Sequence, residues 1–240
     1  MERHSKALKP LAKNIIIILL MVCTAVLITV SSVKTDQSFL RVMPLYVSLF
    51  IALLQSRVNR FASLLGSVNS IVYGIVYVHY GLYGSALSAF LFSCPIQMLT
   101  FIRWNKNKRG NSTLLRKLSW GKRGLLALGF CAALAAMCIL LPRAGAKYVF
   151  LDSVSTLLGI VIYFLTMFAF VEYTVLMIVN GIIGIFLNAV MVNDSPEIWP
   201  FLIFSVYSWI CITFAFFEAR RIYASQQIER ESRIASKEYM

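Results

Sequence analysis

Two asparagines stand alone inside apolar runs: Asn69 in VNSIVYGI (Val68 to Ile75) and Asn180 in VNGIIGIF (Val179 to Phe186), 111 positions apart in the same local frame. A primary amide does not titrate. It offers two donors and a carbonyl acceptor, so its chemistry is recognition of hydroxyls, amides and ring nitrogens, and not proton transfer. Helical spacing extends each amide into a stripe: Gly66, Asn69, Tyr73 and Tyr77, then Tyr173, Met177, Asn180, Gly184 and Asn188. Neighbouring apolar blocks supply matching groups: Ser93, Gln97 and Trp104 beside Pro95; Thr156, Gly159, Tyr163 and Thr166; Ser205 and Trp209. The candidate substrate-binding set is Asn69, Tyr73, Gln97, Tyr163, Tyr173, Asn180, Asn188 and Trp209.

Amides, hydroxyls and rings with almost no charge suit a ligand that combines a flat ring with many hydroxyls. A cationic ring would gain further from aromatic faces. Lys and Arg are absent from the central positions. A phosphate would lack its usual partner there, so an unphosphorylated nucleoside or vitamin suits the groups better than a nucleotide. The competing explanation of the stripes is interhelical glue, small residues for close approach and polar side chains for hydrogen bonds between helices. On that explanation the chain is a non-transporting membrane scaffold subunit.

Enzyme chemistry has no foothold. There is no H-E-x-x-H, G-x-S-x-G or Walker loop, and the five cysteines lie inside apolar blocks with no C-x-x-C pair. No catalytic residue, metal or cofactor is expected. Asp152 and Glu172 fall at the ends of apolar blocks, which leaves no mid-depth carboxylate for coupling to an ion. Asp152, followed by Ser153 and Ser155, reads as a helix start, and His79 as a headgroup-level residue.

The elements that must position these groups follow from hydropathy. The chain has 240 residues, 59% hydrophobic and 14% charged, with a mean hydropathy of +0.76. Apolar blocks of about 20 residues separated by charged stretches are the length a helix needs to cross a bilayer. Eight spans are marked: Ile15 to Val33, Val42 to Ser56, Phe61 to Tyr80, Leu82 to Ile102, Gly124 to Leu141, Phe150 to Phe170, Tyr173 to Val192 and Ile198 to Phe217. The net charge of +13 sits at block ends and alternates with no aromatics on a polar face, so no nucleic-acid partner is expected. With the N-terminus inside, 19 of the 23 Lys and Arg fall on the inner side and four outside (Lys34, Arg41, Arg143, Lys147). That asymmetry predicts a multi-pass protein of the plasma or inner membrane with both termini cytoplasmic.

The basic loop from Arg103 to Gly124 divides the chain. The predicted organisation is an N-terminal leader and extra helix (1–38), a three-helix unit (39–109), the basic loop with a linker helix (110–146), a second three-helix unit (147–219) and a tail (220–240). A single connecting helix leaves the two units parallel, an arrangement found among transporters with midplane sites. The fold class is therefore all-α integral membrane, and each asparagine sits near the centre of the middle helix of its unit.

The stretch from Asn59 to Asn107, with GLYG after a span and PIQ leading to W-x-K, resembles the first half of the PnuC family of nicotinamide riboside transporters. RKLSWGKR, FLDSVSTLLGIV and the IVN of the seventh span continue the likeness in order, from about Arg41 to Arg221. The resemblance implies a fold related to the SWEET sugar transporters, a homotrimer in the lipid bilayer, and facilitated diffusion of nicotinamide riboside that phosphorylation then traps. Riboside-transporting members commonly carry a W-x-x-W pair before the seventh-span asparagine. Here EYTVLMIVN leaves Tyr173 as the only ring. Related members carry thiamine and other vitamins, so a different vitamin or nucleoside is the alternative substrate.

Overall fold

The computed structural model describes residues 2–79, 89–140, 142–144 and 149–238. GLYG, Leu141, Lys147 and the side chains of Arg3, Lys6, Lys9, Lys13, Tyr77 and His79 lie outside the described residues. Among those described, the chain forms eight α-helices: α1 (Glu2–Lys34), α2 (Phe39–Gln55), α3 (Phe61–His79), α4 (Cys94–Lys106), α5 (Trp120–Leu140), α6 (Val149–Met167), α7 (Tyr173–Asp194) and α8 (Trp199–Glu238). Five segments within them are long and apolar enough to cross a membrane, while α2 and the Phe61–Ile75 part of α3 are shorter apolar helices. The 17 residues of α2 rise about 26 Å at roughly 1.5 Å per residue, just under the hydrocarbon thickness. Arg41 and Arg57 at its ends suit snorkelling to the headgroups.

Two differences from the predicted elements have clear causes. A π-helical turn, Ala89–Ser93, precedes α4, because Pro95 in its first turn has no N–H to donate back into a regular α ladder. α8 continues far past Phe217, with its polar C-terminal part held against the basic loop. Gln226 accepts from the Leu115 amide (3.0 Å) and donates to the Thr113 carbonyl (3.0 Å), and Arg109 pairs with Glu229 (3.1 Å).

The apolar core is split. One cluster packs α1, α2 and α8 through Ile17, Ile28, Leu45, Leu49, Tyr207 and Cys211. The other gathers Val58, Trp104, Leu115, Leu118, Leu165, Ala169, Tyr173 and Ala219 at the basic-loop end. Large apolar side chains such as Leu125, Leu128 and Phe186 point outward, as expected where lipid replaces water.

The turns that enter α3 and α7 share an unusual geometry. Val58 (φ +51°) and Ala169 (φ +58°) are both left-handed although neither is glycine, and they too are 111 positions apart. Their hydrogen bonds correspond one for one. Val58 N–H donates to the Gln55 carbonyl and Asn59 N–H to that of Leu54; Ala169 N–H donates to Thr166 and Phe170 N–H to Leu165. Such residues are costly and persist only where their surroundings fix them. Both are buried, and the basic loop ties down each turn: Arg60 N–H donates to the Asn111 carbonyl, and Arg116 exchanges backbone bonds with Ala169 and Val171.

Candidate functional site

α3 packs between α2 and α4, and α7 between α6 and α8. The seam between these two groups holds two adjoining chambers. The inner one, toward the basic loop, has a volume of about 270 Å³ and is walled by Gln97, Thr100 and Trp104 of α4, Tyr163 of α6, Tyr173 and Asn180 of α7, and Ser208 of α8. The other, of about 830 Å³, opens at the opposite end past Asn69, Tyr73, Ser93, Asp152 and Thr156. Gln55, Gln97, Tyr163, Phe204 and Ser208 line both chambers and form the constriction between them.

Local sequence explains how the walls are held. Gly66 lets Gln97 lie across α3: a Cβ there would stand 1.8 Å from Gln97 Oε1. In that position Gln97 Nε2 donates to Ser70 Oγ at 3.0 Å, and Ser70 Oγ donates to the Gly66 carbonyl at 2.9 Å. Trp104 is 3% exposed, donates Nε1–H to the Thr166 carbonyl at 2.7 Å, and meets Tyr173 edge to face at 6.4 Å. These bonds fix a rigid aromatic corner.

Six of the eight predicted residues line the chambers: Asn69 and Tyr73 the outer one, Tyr173 and Asn180 the inner one, Gln97 and Tyr163 both. The two asparagines differ in their bonding. Asn69 is 3% exposed, and its Nδ2 donates to Ser48 Oγ (2.9 Å) and the Pro44 carbonyl (3.3 Å), which ties α3 to α2. Asn180 Oδ1 is buried without a hydrogen-bond partner. The position 111 residues after Ser48 is Gly159, which has no hydroxyl to offer and open space where its Cβ would stand.

Asn188 and Trp209 lie behind the wall. Asn188 Nδ2 donates to Ser205 Oγ at 2.7 Å, and Ser205 itself faces the inner chamber. Trp209 covers Gly181, where a Cβ would come within 2.7 Å of its ring. The sequence reading missed Gln55, Thr100 and Ser208. Ser208 was within reach, since it follows Ser205 by three on the same helical face, but the ring of Trp209 one position later carried the stronger signal. Gln55 sits at a span end, where a polar residue needs no explanation.

No described residue lining the inner chamber is Lys, Arg, His, Asp or Glu, and among those lining the outer one Asp152 is the one carboxylate. Such a site can bind, orient and release a polar solute. Among the described residues that line the inner chamber there is no carboxylate, imidazole or amine to act as a base.

The family model described as "Nicotinamide mononucleotide transporter" matches residues 38–218. The chain belongs to the PnuC family of membrane transporters. A crystal structure of "the Vitamin B3 transporter PnuC" matches with a TM-score of 0.70 over 87% of this chain and 90% of that one, at 19% identity. No curated protein matches. The PnuC fold therefore extends over most of the chain, and the protein is a multi-pass membrane protein of a transporter family.

Proposed function

We propose that this PnuC-family protein carries nicotinamide riboside into the cell by facilitated diffusion, with the inner chamber as its binding site. The observation that carries the reading is the chamber's uncharged lining of amides, hydroxyls and rings. A pyridinium ring finds the faces and edges of Trp104, Tyr163 and Tyr173, and the ribose hydroxyls find Asn180, Gln97, Thr100 and Ser208. A mononucleotide would bring a phosphate of about −1.5 to −2 charge into a site whose described lining holds no cation to receive it. Its desolvation would go uncompensated, so the nucleoside is preferred and later phosphorylation traps it.

Two units related by duplication, parallel and SWEET-like, suit this mechanism. The matching turns at Val58 and Ala169 and the recurring asparagines support that relation. Rocking of one unit against the other about the constriction would open the chambers alternately. The absence of Asp or Glu from the described lining of the inner chamber favours uptake that follows the substrate gradient alone. The charge asymmetry supports cytoplasmic termini, and the family resemblance supports a homotrimer.

A second substrate reading rests on one observation: Tyr173 is the only ring in EYTVLMIVN, where riboside carriers commonly have two tryptophans. Thiamine or another ring-bearing vitamin is that alternative. A thermal-stability panel separates them, because a ligand that binds the folded state raises the melting point by mass action. Nicotinamide riboside should stabilise the protein at lower concentration than its mononucleotide, thiamine, riboflavin or common nucleosides. A larger shift with thiamine would transfer the assignment to it, and no shift with any compound would return the polar stripes to a packing role.

A further inference from the structure

Outside the transport path, α5 is weakly anchored. It is 21 residues long, has no buried residue, and packs chiefly on α6 and the turn Pro142–Ala144. Between α5, α6, α7 and the start of the polar part of α8 lies a groove of about 760 Å³. Its wall is apolar along α6 from Leu165 to Leu158, two helical turns or about 10 Å into the membrane. Lys117, Arg123 and Arg220 line its basic-loop end, opposed by the single carboxylate of Glu172.

The polar groups at that end are incompletely satisfied. Glu172 Oε1 accepts from the Leu118 amide (3.0 Å) and from Arg123 Nη2 (2.5 Å). Glu172 Oε2 and Arg123 Nε are buried with no hydrogen-bond partner. Beside them Trp120 is 83% exposed, with the Arg123 guanidinium 4.8 Å from its ring centroid, the placement of an interfacial aromatic anchor.

The geometry points to a bound phospholipid as the occupant of this groove: one acyl chain along Leu158 to Leu165, its phosphate at Lys117, Arg123 and Arg220, and a headgroup donor on Glu172. Guanidinium and ammonium groups are the standard partners of phosphate oxygens. A headgroup that also carries an ammonium or hydroxyl would satisfy the carboxylate oxygen left over. Phosphatidylethanolamine and phosphatidylglycerol have both parts, and phosphatidylcholine lacks the donor. A second copy of this chain, from the proposed homotrimer, is the competing occupant, but with 10 Asp and Glu against 23 Lys and Arg it offers fewer partners for three clustered cations than an anionic headgroup does. The lipid supplies α5 with the packing that the protein leaves out.

The test is lipid titration of the purified full-length protein, followed by native mass spectrometry and melting temperature. Phosphatidylglycerol and phosphatidylethanolamine should bind and stabilise, with phosphatidylcholine about tenfold weaker. The double substitution Lys117→Gln and Arg220→Gln, which leaves the Arg123–Glu172 pair intact, should weaken all three by about tenfold, because each carries the phosphate, and should preserve the preference over phosphatidylcholine. Ala127→Trp should fill the groove and abolish retention of all three. Equal binding of the three lipids, insensitive to both variants, would overturn the proposal. So would a change of oligomer mass in the variants with no lipid retained by the parent, which would make the groove an interface between copies.

Discussion

The substitution Asn180→Leu should damage binding and spare the fold, whereas Asn69→Leu should do the reverse. Asn69 Nδ2 makes two hydrogen bonds to α2, at 2.9 and 3.3 Å. Side-chain hydrogen bonds between membrane helices average about 0.6 kcal/mol and reach about 1.7. Two of them, together with a stranded Ser48 hydroxyl, amount to about 1–2 kcal/mol, or a melting point lower by roughly 2–8 °C for a chain of this size. Asn180 Oδ1 has no partner to lose and its side chain borders the chamber, so leucine, with the same branching, should change stability by less than about 0.5 kcal/mol. If that oxygen and its amide hold the substrate, removing them leaves a ligand group unpaired in a closed chamber. The cost is about 1–3 kcal/mol, five- to 150-fold in affinity. The assay is calorimetric titration of each variant with nicotinamide riboside after gel filtration confirms monodisperse assembly, in parallel with thermal melts. Near-native affinity in a well-assembled Asn180→Leu protein would refute the reasoning, as would an Asn69→Leu protein with an unchanged melting point.

Further outcomes follow from the same geometry. Gly159→Ser places a hydroxyl in open space near Asn180, at the position equivalent to Ser48, and should raise the melting point slightly while weakening substrate binding about tenfold in titrations. Gly66→Ala would put a methyl 1.8 Å from Gln97 Oε1, and so should turn Gln97 out of the constriction and lower uptake at least about tenfold in cells without lowering expression. Cysteine labelling at Ser225, on the polar stretch of α8, should be accessible only from the cytoplasmic side; labelling from outside would remove the proposed topology.

How much of this was legible in the sequence depends on what each feature requires. The apolar blocks gave the helices, because a bilayer imposes a length that hydropathy alone displays. The π turn before Pro95 was legible only as a disturbance, since a proline shows where a ladder breaks but not how it is repaired. Val58 and Ala169 carry no turn signature, for β-branched and alanine residues are poor choices for a left-handed backbone, and only their tertiary setting imposes it. Six of the eight candidate residues line the chambers because polar side chains in hydrocarbon are seldom idle. Asn69 and Asn180 nevertheless read alike. Only the bonding of Asn69 to Ser48 on a neighbouring helix, and Gly159 in the corresponding place, separate the helix tie from the candidate ligand. The groove at Lys117 and Arg220 was invisible for the same reason: it joins residues from the basic loop, from α5, α6 and α7, and from the polar part of α8 that no periodicity connects.

The most direct measurement is flux into proteoliposomes holding the purified protein with no proton or sodium gradient. Labelled nicotinamide riboside should enter until inside and outside concentrations are equal, with excess unlabelled riboside competing and its mononucleotide failing to do so. Competition by the mononucleotide at equal concentration, or accumulation above equilibrium when a proton or sodium gradient is applied, would contradict the uncharged chamber as the site of gradient-driven nucleoside uptake.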